Sequence, residues 1–123
     1  MSPLIRQRQI LVVDDDPFVC ETVAMLLESD GHVVTPANSA QQALSLFQLG
    51  KFDLVFTDFL MPSMRGDKLA AEIKILAPGQ PVIMLTAHPE KFQRIDLPST
   101  GVDLVIGKPF HIENLREGVA LAD

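Results

Sequence analysis

Five short apolar runs, each separated from the next by a stretch whose apolar residues recur at helical spacing, constrain this chain more than any other feature. The runs are Ile10 to Val13, His32 to Thr35, Asp53 to Thr57, Pro81 to Leu85 and Asp103 to Ile106. Three are almost continuously apolar, as expected of parallel strands covered on both faces. After the first run, Asp16 is placed to cap a helix that starts at Pro17, and Val19, Val23, Leu26 and Leu27 form a stripe ending before Gly31. Ser39 and Gln42 make a capping-box pattern ahead of Ala40, Ala43, Leu44 and Phe47, with Gly50 closing the segment. Leu69, Ile73 and Leu76 form a third stripe stopped by Pro78-Gly79, and Ile112, Leu115 and Val119 form the last. The stretch from Glu90 to Ile95 is fenced by Pro89 and Pro98, so a short or irregular helix is expected there. Strands alternating with helices predict an α/β fold: a five-stranded parallel sheet with right-handed crossovers, doubly wound, with helices on both faces. With 123 residues, one such domain uses the whole length.

In sheets of this kind, ligands sit outside the carboxyl ends of the strands. Here those ends carry the unusual polar residues. The first run leads into Asp14-Asp15-Asp16, the third into Asp58, the fourth into Thr86, and the fifth through Gly107 into Lys108-Pro109-Phe110. Carboxylates converging on one rim repel and acquire raised pKa values unless a cation neutralises them. An all-oxygen set suits a hard ion, Mg²⁺ before Zn²⁺. A metal, a hydroxyl and an ammonium around a carboxylate make a site for a phosphoryl group, whose peripheral oxygens need such partners during transfer.

Charge and composition exclude other functions. Sixteen acidic residues against ten basic ones give a net charge of -6, the wrong sign for binding nucleic acid or an anionic membrane through phosphate neutralisation. No apolar run approaches the roughly 18 to 20 residues of a membrane span, and Met1 to Gln9 holds no secretory-type apolar stretch, so a soluble cytoplasmic domain is expected. Cys20, the single cysteine, excludes an internal disulfide and a cysteine-based zinc site. It reads as an inert packed residue. His32, after Gly31, reads as solvated, and none of the three histidines has metal-ligand spacing.

Taken in order, the acidic pair after Val13, Asp58-Phe59-Leu60-Met61-Pro62 continuing to Gly66, Leu85-Thr86-Ala87 and Lys108-Pro109-Phe110 resemble the receiver domain of two-component response regulators. The resemblance implies a receiver over residues 9–123 after an N-terminal extension at 1–8, with the flavodoxin-like strand order 2-1-3-4-5. It implies that Asp58 is the phosphoacceptor and that Mg²⁺ is held by Asp14, Asp15, Asp58 and the backbone carbonyl of Leu60. Thr86 and Lys108 would engage the phosphoryl group, and the bond before Pro109 would be cis. The donor would be a phosphohistidine on a histidine kinase or phosphotransfer protein, and the output an unknown partner or a fused domain. Such a domain catalyses only its own phosphorylation and dephosphorylation and is not otherwise an enzyme.

Asp16 is better read as the helix cap than as a metal ligand. Val105 stands where the family often has an aromatic residue, and Arg65 where an acidic one is frequent. Leu60 and His88 occupy the two variable positions flanking the pocket. A Mg²⁺-dependent phosphatase with an aspartate nucleophile would need a second aspartate where Leu60 stands. A flavin carrier would need a Gly/Thr/Ser phosphate loop in place of Asp14 to Asp16. The remaining alternative is a receiver-like module that binds partners without phosphorylation, although such modules commonly lose the acidic pair, the acceptor or the lysine.

Overall fold

The computed structural model describes residues 6–92 and 100–123. Its five strands are β1 (Gln9–Val13), β2 (Val33–Ala37), β3 (Leu54–Asp58), β4 (Val82–Thr86) and β5 (Leu104–Gly107), all parallel, in the order β2-β1-β3-β4-β5. Among the described residues the α-helices are α1 (Pro17–Ser29), α2 (Ala40–Leu49), α3 (Gly66–Leu76) and α4 (Ile112–Val119). The helical segment expected from Glu90 to Ile95 is a 3-10 turn over Pro89–Phe92, and residues 93–99 lie outside the described set. Residues 1–5 of the expected extension also lie outside it.

The near-continuous apolar strands are explained by two cores. Leu11, Val13, Val55, Val82 and Met84 face Ala40 and Ala43 of α2 and Leu69, Ala70 and Ile73 of α3. Ile10, Val12, Leu54, Phe56, Ile83 and Leu85 face Cys20, Val23 and Leu27 of α1 and Leu115 of α4. Successive side chains of a strand point to opposite faces, so a strand buried on both sides has no polar positions left to alternate. The helix starts follow the sequence signals. Asp16 Oδ1 accepts the Phe18 N–H at 2.9 Å, and Ser39 Oγ accepts the Gln42 N–H at 3.0 Å. Each such cap stabilises by about 1 kcal/mol. Gln42 reaches back not to Ser39 but to the Asn38 N–H, at 2.8 Å.

Strand β2 runs two residues beyond the sequence reading, through Pro36 to Ala37. The Val33 N–H donates to the Arg8 carbonyl at 3.0 Å, and alternation turns the Thr35 and Ala37 amides towards β1 as well. Pro36 therefore lacks its N–H on the free edge, where the ladder does not need it and where its absence discourages pairing with another chain.

His32 is buried, not solvated, with 5% of its surface exposed. Its Nδ1 accepts the Arg8 N–H at 3.0 Å, which extends the β1–β2 ladder by one rung through a side chain. The ring is thus neutral with its proton on Nε2. Burial pushes its pKa below the usual 6.5; Asp30 opposes this, and Arg8 adds to it. Arg6, Arg116 and Asp123 line the same end of the molecule, with Arg116 bound through Nε and an Nη to Asp30 at 2.8 and 2.9 Å.

A histidine whose folded pKa is depressed contributes stability above its unfolded pKa and loses it as pH falls through the folded one. Stability should therefore fall between pH 6.5 and the lower folded value, by at most about 1.4 kcal/mol per pH unit. His32→Asn keeps an acceptor for Arg8 and cannot titrate. Urea midpoints from pH 7 to 5 should fall more steeply for wild type than for His32→Asn, and parallel curves would show that His32 is not the group responsible.

Candidate functional site

Because β1, β3, β4 and β5 lie side by side, the residues that follow them meet on one rim. Oxygens of Asp14, Asp15 and Asp58 all lie within 4.8 Å of one another. Asp14 is buried, Asp58 half-buried and Asp15 exposed. Lys108 Nζ reaches between two of them, 3.1 Å from Asp58 Oδ1 and 3.3 Å from Asp14 Oδ2. The Lys108–Pro109 peptide bond is cis. The Lys108 N–H donates to the Thr86 carbonyl at 2.7 Å, tying the ends of β4 and β5 together.

The backbone holds Asp14 in place. Its N–H donates to the Ala37 carbonyl at 3.0 Å, and its Oδ1 accepts the Asp16 N–H at 2.9 Å. Asp16 itself turns to α1 as its cap, so the third aspartate of the run is structural. Thr86 is buried, and its Oγ1 accepts the His88 N–H at 3.0 Å. His88 Nδ1 lies 3.5 Å from Glu90 Oε1. Pro89 follows and packs on the β5 backbone: a Cβ on Gly107 would lie 3.0 Å from its Cγ.

Three carboxylates and one ammonium leave the cluster strongly negative. Burial raises the Asp14 pKa and the charge of Asp58 adds to this, while the Asp16 N–H and Lys108 pull the other way. Burial alone would lower the Lys108 pKa, but Asp58 and Asp14 together raise it, so it stays an ammonium. A buried acid under this pressure, with two more carboxylates in reach, is a donor set that fits a hard divalent cation.

Arg65 does not turn to Asp58. Its Nε and Nη2 bind Asp67 at 3.1 and 2.8 Å, and its guanidinium lies over the Phe59 ring, 5.3 Å from the centroid. As N-cap of α3 it supplies no side-chain hydrogen bond to the helix backbone, and its guanidinium instead pairs with Asp67 in the first turn. Leu60 is 51% exposed at the rim. Val105 packs among the residues between the sheet and α2 and α3. Cys20 is buried, with Sγ 3.5 Å from the Val12 carbonyl, and burial raises its thiol pKa.

Sequence reasoning passed over Thr57, which donates through Oγ1 to the Asp58 carbonyl at 2.9 Å. It also gave Gly66 no physical role. The signals were present: a hydroxyl in an otherwise apolar strand, and a glycine opening a helix, where propensity disfavours it.

The chain matches the family described as response regulator receiver domain over residues 10–120. It is similar to the transcriptional regulatory protein GlrR of Escherichia coli (strain K12), 36% identical over 89% of this chain and 25% of that protein. It is also similar to the probable transcriptional regulatory protein TcrX of Mycobacterium tuberculosis, 34% identical over 86% of this chain and 45% of that protein. The chain thus spans a quarter to under half of these relatives' lengths. Among solved structures, the response regulator protein TrrA from Thermotoga maritima, in complex with Mg(2+)-BeF, is 33% identical with a TM-score of 0.85, over 95% of this chain and all of that one. The chemotaxis response regulator CheY4 of Vibrio cholerae gives the same TM-score at 27% identity, over 96% of this chain and all of that one.

Proposed function

We propose that this chain, which belongs to the response regulator receiver domain family, takes a phosphoryl group onto Asp58 from a phosphohistidine of a histidine kinase or phosphotransfer protein. The observation that carries this reading is Lys108 Nζ held 3.1 Å from Asp58, with Asp14 and Asp15 alongside. Asp14, Asp15, Asp58 and the Leu60 carbonyl are the residues to hold Mg²⁺. When bound, the ion neutralises the carboxylates and the charge of the incoming phosphoryl group.

A carboxylate oxygen of Asp58 attacks phosphorus; the P–N bond breaks and its electron pair stays on the departing imidazole, which leaves an acyl phosphate on Asp58. Lys108 Nζ is already 3.1 Å from Asp58 Oδ1 and follows the charge to the peripheral oxygens, while the Thr86 hydroxyl donates to another. Moving Thr86 pulls on the His88 N–H and on Pro89, which lies against Gly107. That turn is the route by which a chain with Val105 in place of an aromatic can relay the change. Water resets the acyl phosphate, so the domain serves as substrate and catalyst of its own modification rather than as an enzyme on others.

Output is carried by a partner or by a fused segment, as the greater length of the relatives suggests. The net charge of -6 argues against direct contact with nucleic acid. No helix among the described residues is long and apolar enough to cross a membrane, and a cytoplasmic location suits the phosphohistidine donor.

Incubation with acetyl phosphate and Mg²⁺ should add the mass of one phosphoryl group, labile to hydroxylamine, and EDTA should prevent it. The chain has no Trp or Tyr, so intact mass or NMR must take the place of intrinsic fluorescence. If no mass is gained, the chain is instead a module that binds partners without phosphorylation.

A further inference from the structure

Thr57 is a buried polar residue that the phosphoryl chemistry leaves unused. It sits in β3 directly before Asp58, fully buried, in register with Val13 of β1 and Met84 of β4. Valine has the same shape and suits such neighbours, and a buried hydroxyl left unpaired costs about 1 to 3 kcal/mol. The hydroxyl does have a partner, the Asp58 carbonyl oxygen at 2.9 Å. The same oxygen meets Gly66 of α3, where a Cβ would fall 2.0 Å from it. The Gly66 N–H in turn donates to the next carbonyl, that of Phe59, at 2.7 Å. The peptide joining Asp58 to Phe59 is therefore held between a hydroxyl of its own strand and the first residue of the following helix. Rotation of that peptide would re-aim the Asp58 side chain on one side and the backbone leading to Leu60 on the other.

We propose that Thr57 is a positioning residue whose hydroxyl fixes the Asp58–Phe59 peptide and so aims the Asp58 carboxylate and the Leu60 carbonyl into the site. Thr57 touches no reacting atom and acts through the backbone of the acceptor. The proposal rests on the reading of Asp58 as phosphoacceptor, and a Mg²⁺ titration without any phosphodonor tests it separately from that reading.

Wild type, Thr57→Val and Thr57→Ser are compared in three measurements: Mg²⁺ affinity from amide shifts in NMR, the rate of mass gain with acetyl phosphate at saturating Mg²⁺, and melting temperature. Thr57→Val should bind Mg²⁺ about tenfold more weakly, the scale typical of residues that orient metal ligands, and take up phosphoryl more slowly by a similar factor. Its melting temperature should fall by several degrees, because the Asp58 carbonyl loses its donor, and Thr57→Ser should recover part of that loss. Thr57→Ser, which restores the donor, should recover both affinity and rate. Should Thr57→Val fail to fold, Thr57→Ala against Thr57→Ser makes the same comparison. Unchanged Mg²⁺ affinity and rate in Thr57→Val, or a loss in Thr57→Ser as large as in Thr57→Val, overturns the proposal. If wild type binds Mg²⁺ but gains no phosphoryl mass, the phosphoacceptor reading fails, while the Mg²⁺ affinities still decide the role of Thr57.

Discussion

Asp58→Asn is expected to end phosphoryl uptake entirely while leaving the fold in place. The amide keeps the shape of the side chain but lacks the anionic oxygen that attacks phosphorus. Neither neighbouring acid is a ready substitute. Asp14 is buried, and its two oxygens are occupied by the Asp16 N–H and by Lys108 at 3.3 Å. Asp15 lies on the exposed side of the cluster. Intact mass after acetyl phosphate and Mg²⁺ should therefore show a phosphoryl group on wild type and none on Asp58→Asn; an equal gain in both would place the acceptor elsewhere.

The same variant has a second readout in the metal-free protein. Asp14 titrates high chiefly because it is buried, and additionally because Asp58 is charged. Removing that charge should bring the Asp14 carboxyl part of the way back towards 3.8, which its ¹³C shift would report. The sign for stability follows. An acid whose folded pKa is raised destabilises the fold above that pKa, and the penalty disappears as pH falls through it. The penalty should be smaller in Asp58→Asn than in wild type.

Asp14, Asp15, Asp58, Thr86 and Lys108 could be placed together from the sequence because each follows an apolar run at once or within a residue or two, and parallel strands bring all their carboxyl ends to one rim. The fold was legible for a related reason: strands buried on two faces write their positions as unbroken apolar runs. Hydrogen-bond partners are not written in periodicity. His32 follows a glycine and looks like a turn residue, yet its ring completes the first rung between β1 and β2. Pro36 looks like a strand stop, and only the direction in which its missing N–H would point shows why the strand continues. Leu76 keeps the spacing of the α3 stripe but is 49% exposed, because it is the last residue of a helix whose buried face is already filled by Leu69, Ala70 and Ile73. The hydroxyl of Thr57 is visible in an otherwise apolar strand, but its partner is not. It acquires meaning only from the carbonyl beside it.

Gly66→Ala should lower stability by about 3 kcal/mol, or somewhat more, against the direction that helix propensity predicts. In a helix, alanine is favoured over glycine by roughly 0.5 to 1 kcal/mol, so on local grounds the substitution stabilises. The packing reverses the sign. A Cβ at Gly66 would lie 2.0 Å from the Asp58 carbonyl oxygen, 3.0 Å from its carbonyl carbon and 3.2 Å from Phe59 Cα. All three are backbone atoms, so no side chain can swing aside, and the backbone of α3 or β3 must shift to open the 2.0 Å contact. Overpacking of this kind costs about 1 to 3 kcal/mol and occasionally more, and against backbone the upper end applies. In a domain of this size the melting temperature should fall by about 10 °C or more. Gly79 provides the control, because a Cβ there meets nothing within 4 Å and its φ is not positive. Gly79→Ala should be neutral or stabilise by up to about 1 kcal/mol. The damage in Gly66→Ala should also be local, since the atom displaced first belongs to the acceptor's own peptide: at temperatures where the variant is still folded, the amide signals of Asp58, Phe59 and Leu60 should shift most and phosphoryl uptake should slow. Equal melting of Gly66→Ala and Gly79→Ala would mean that α3 does not press on Asp58, and the clamp on that peptide would lose one of its two jaws.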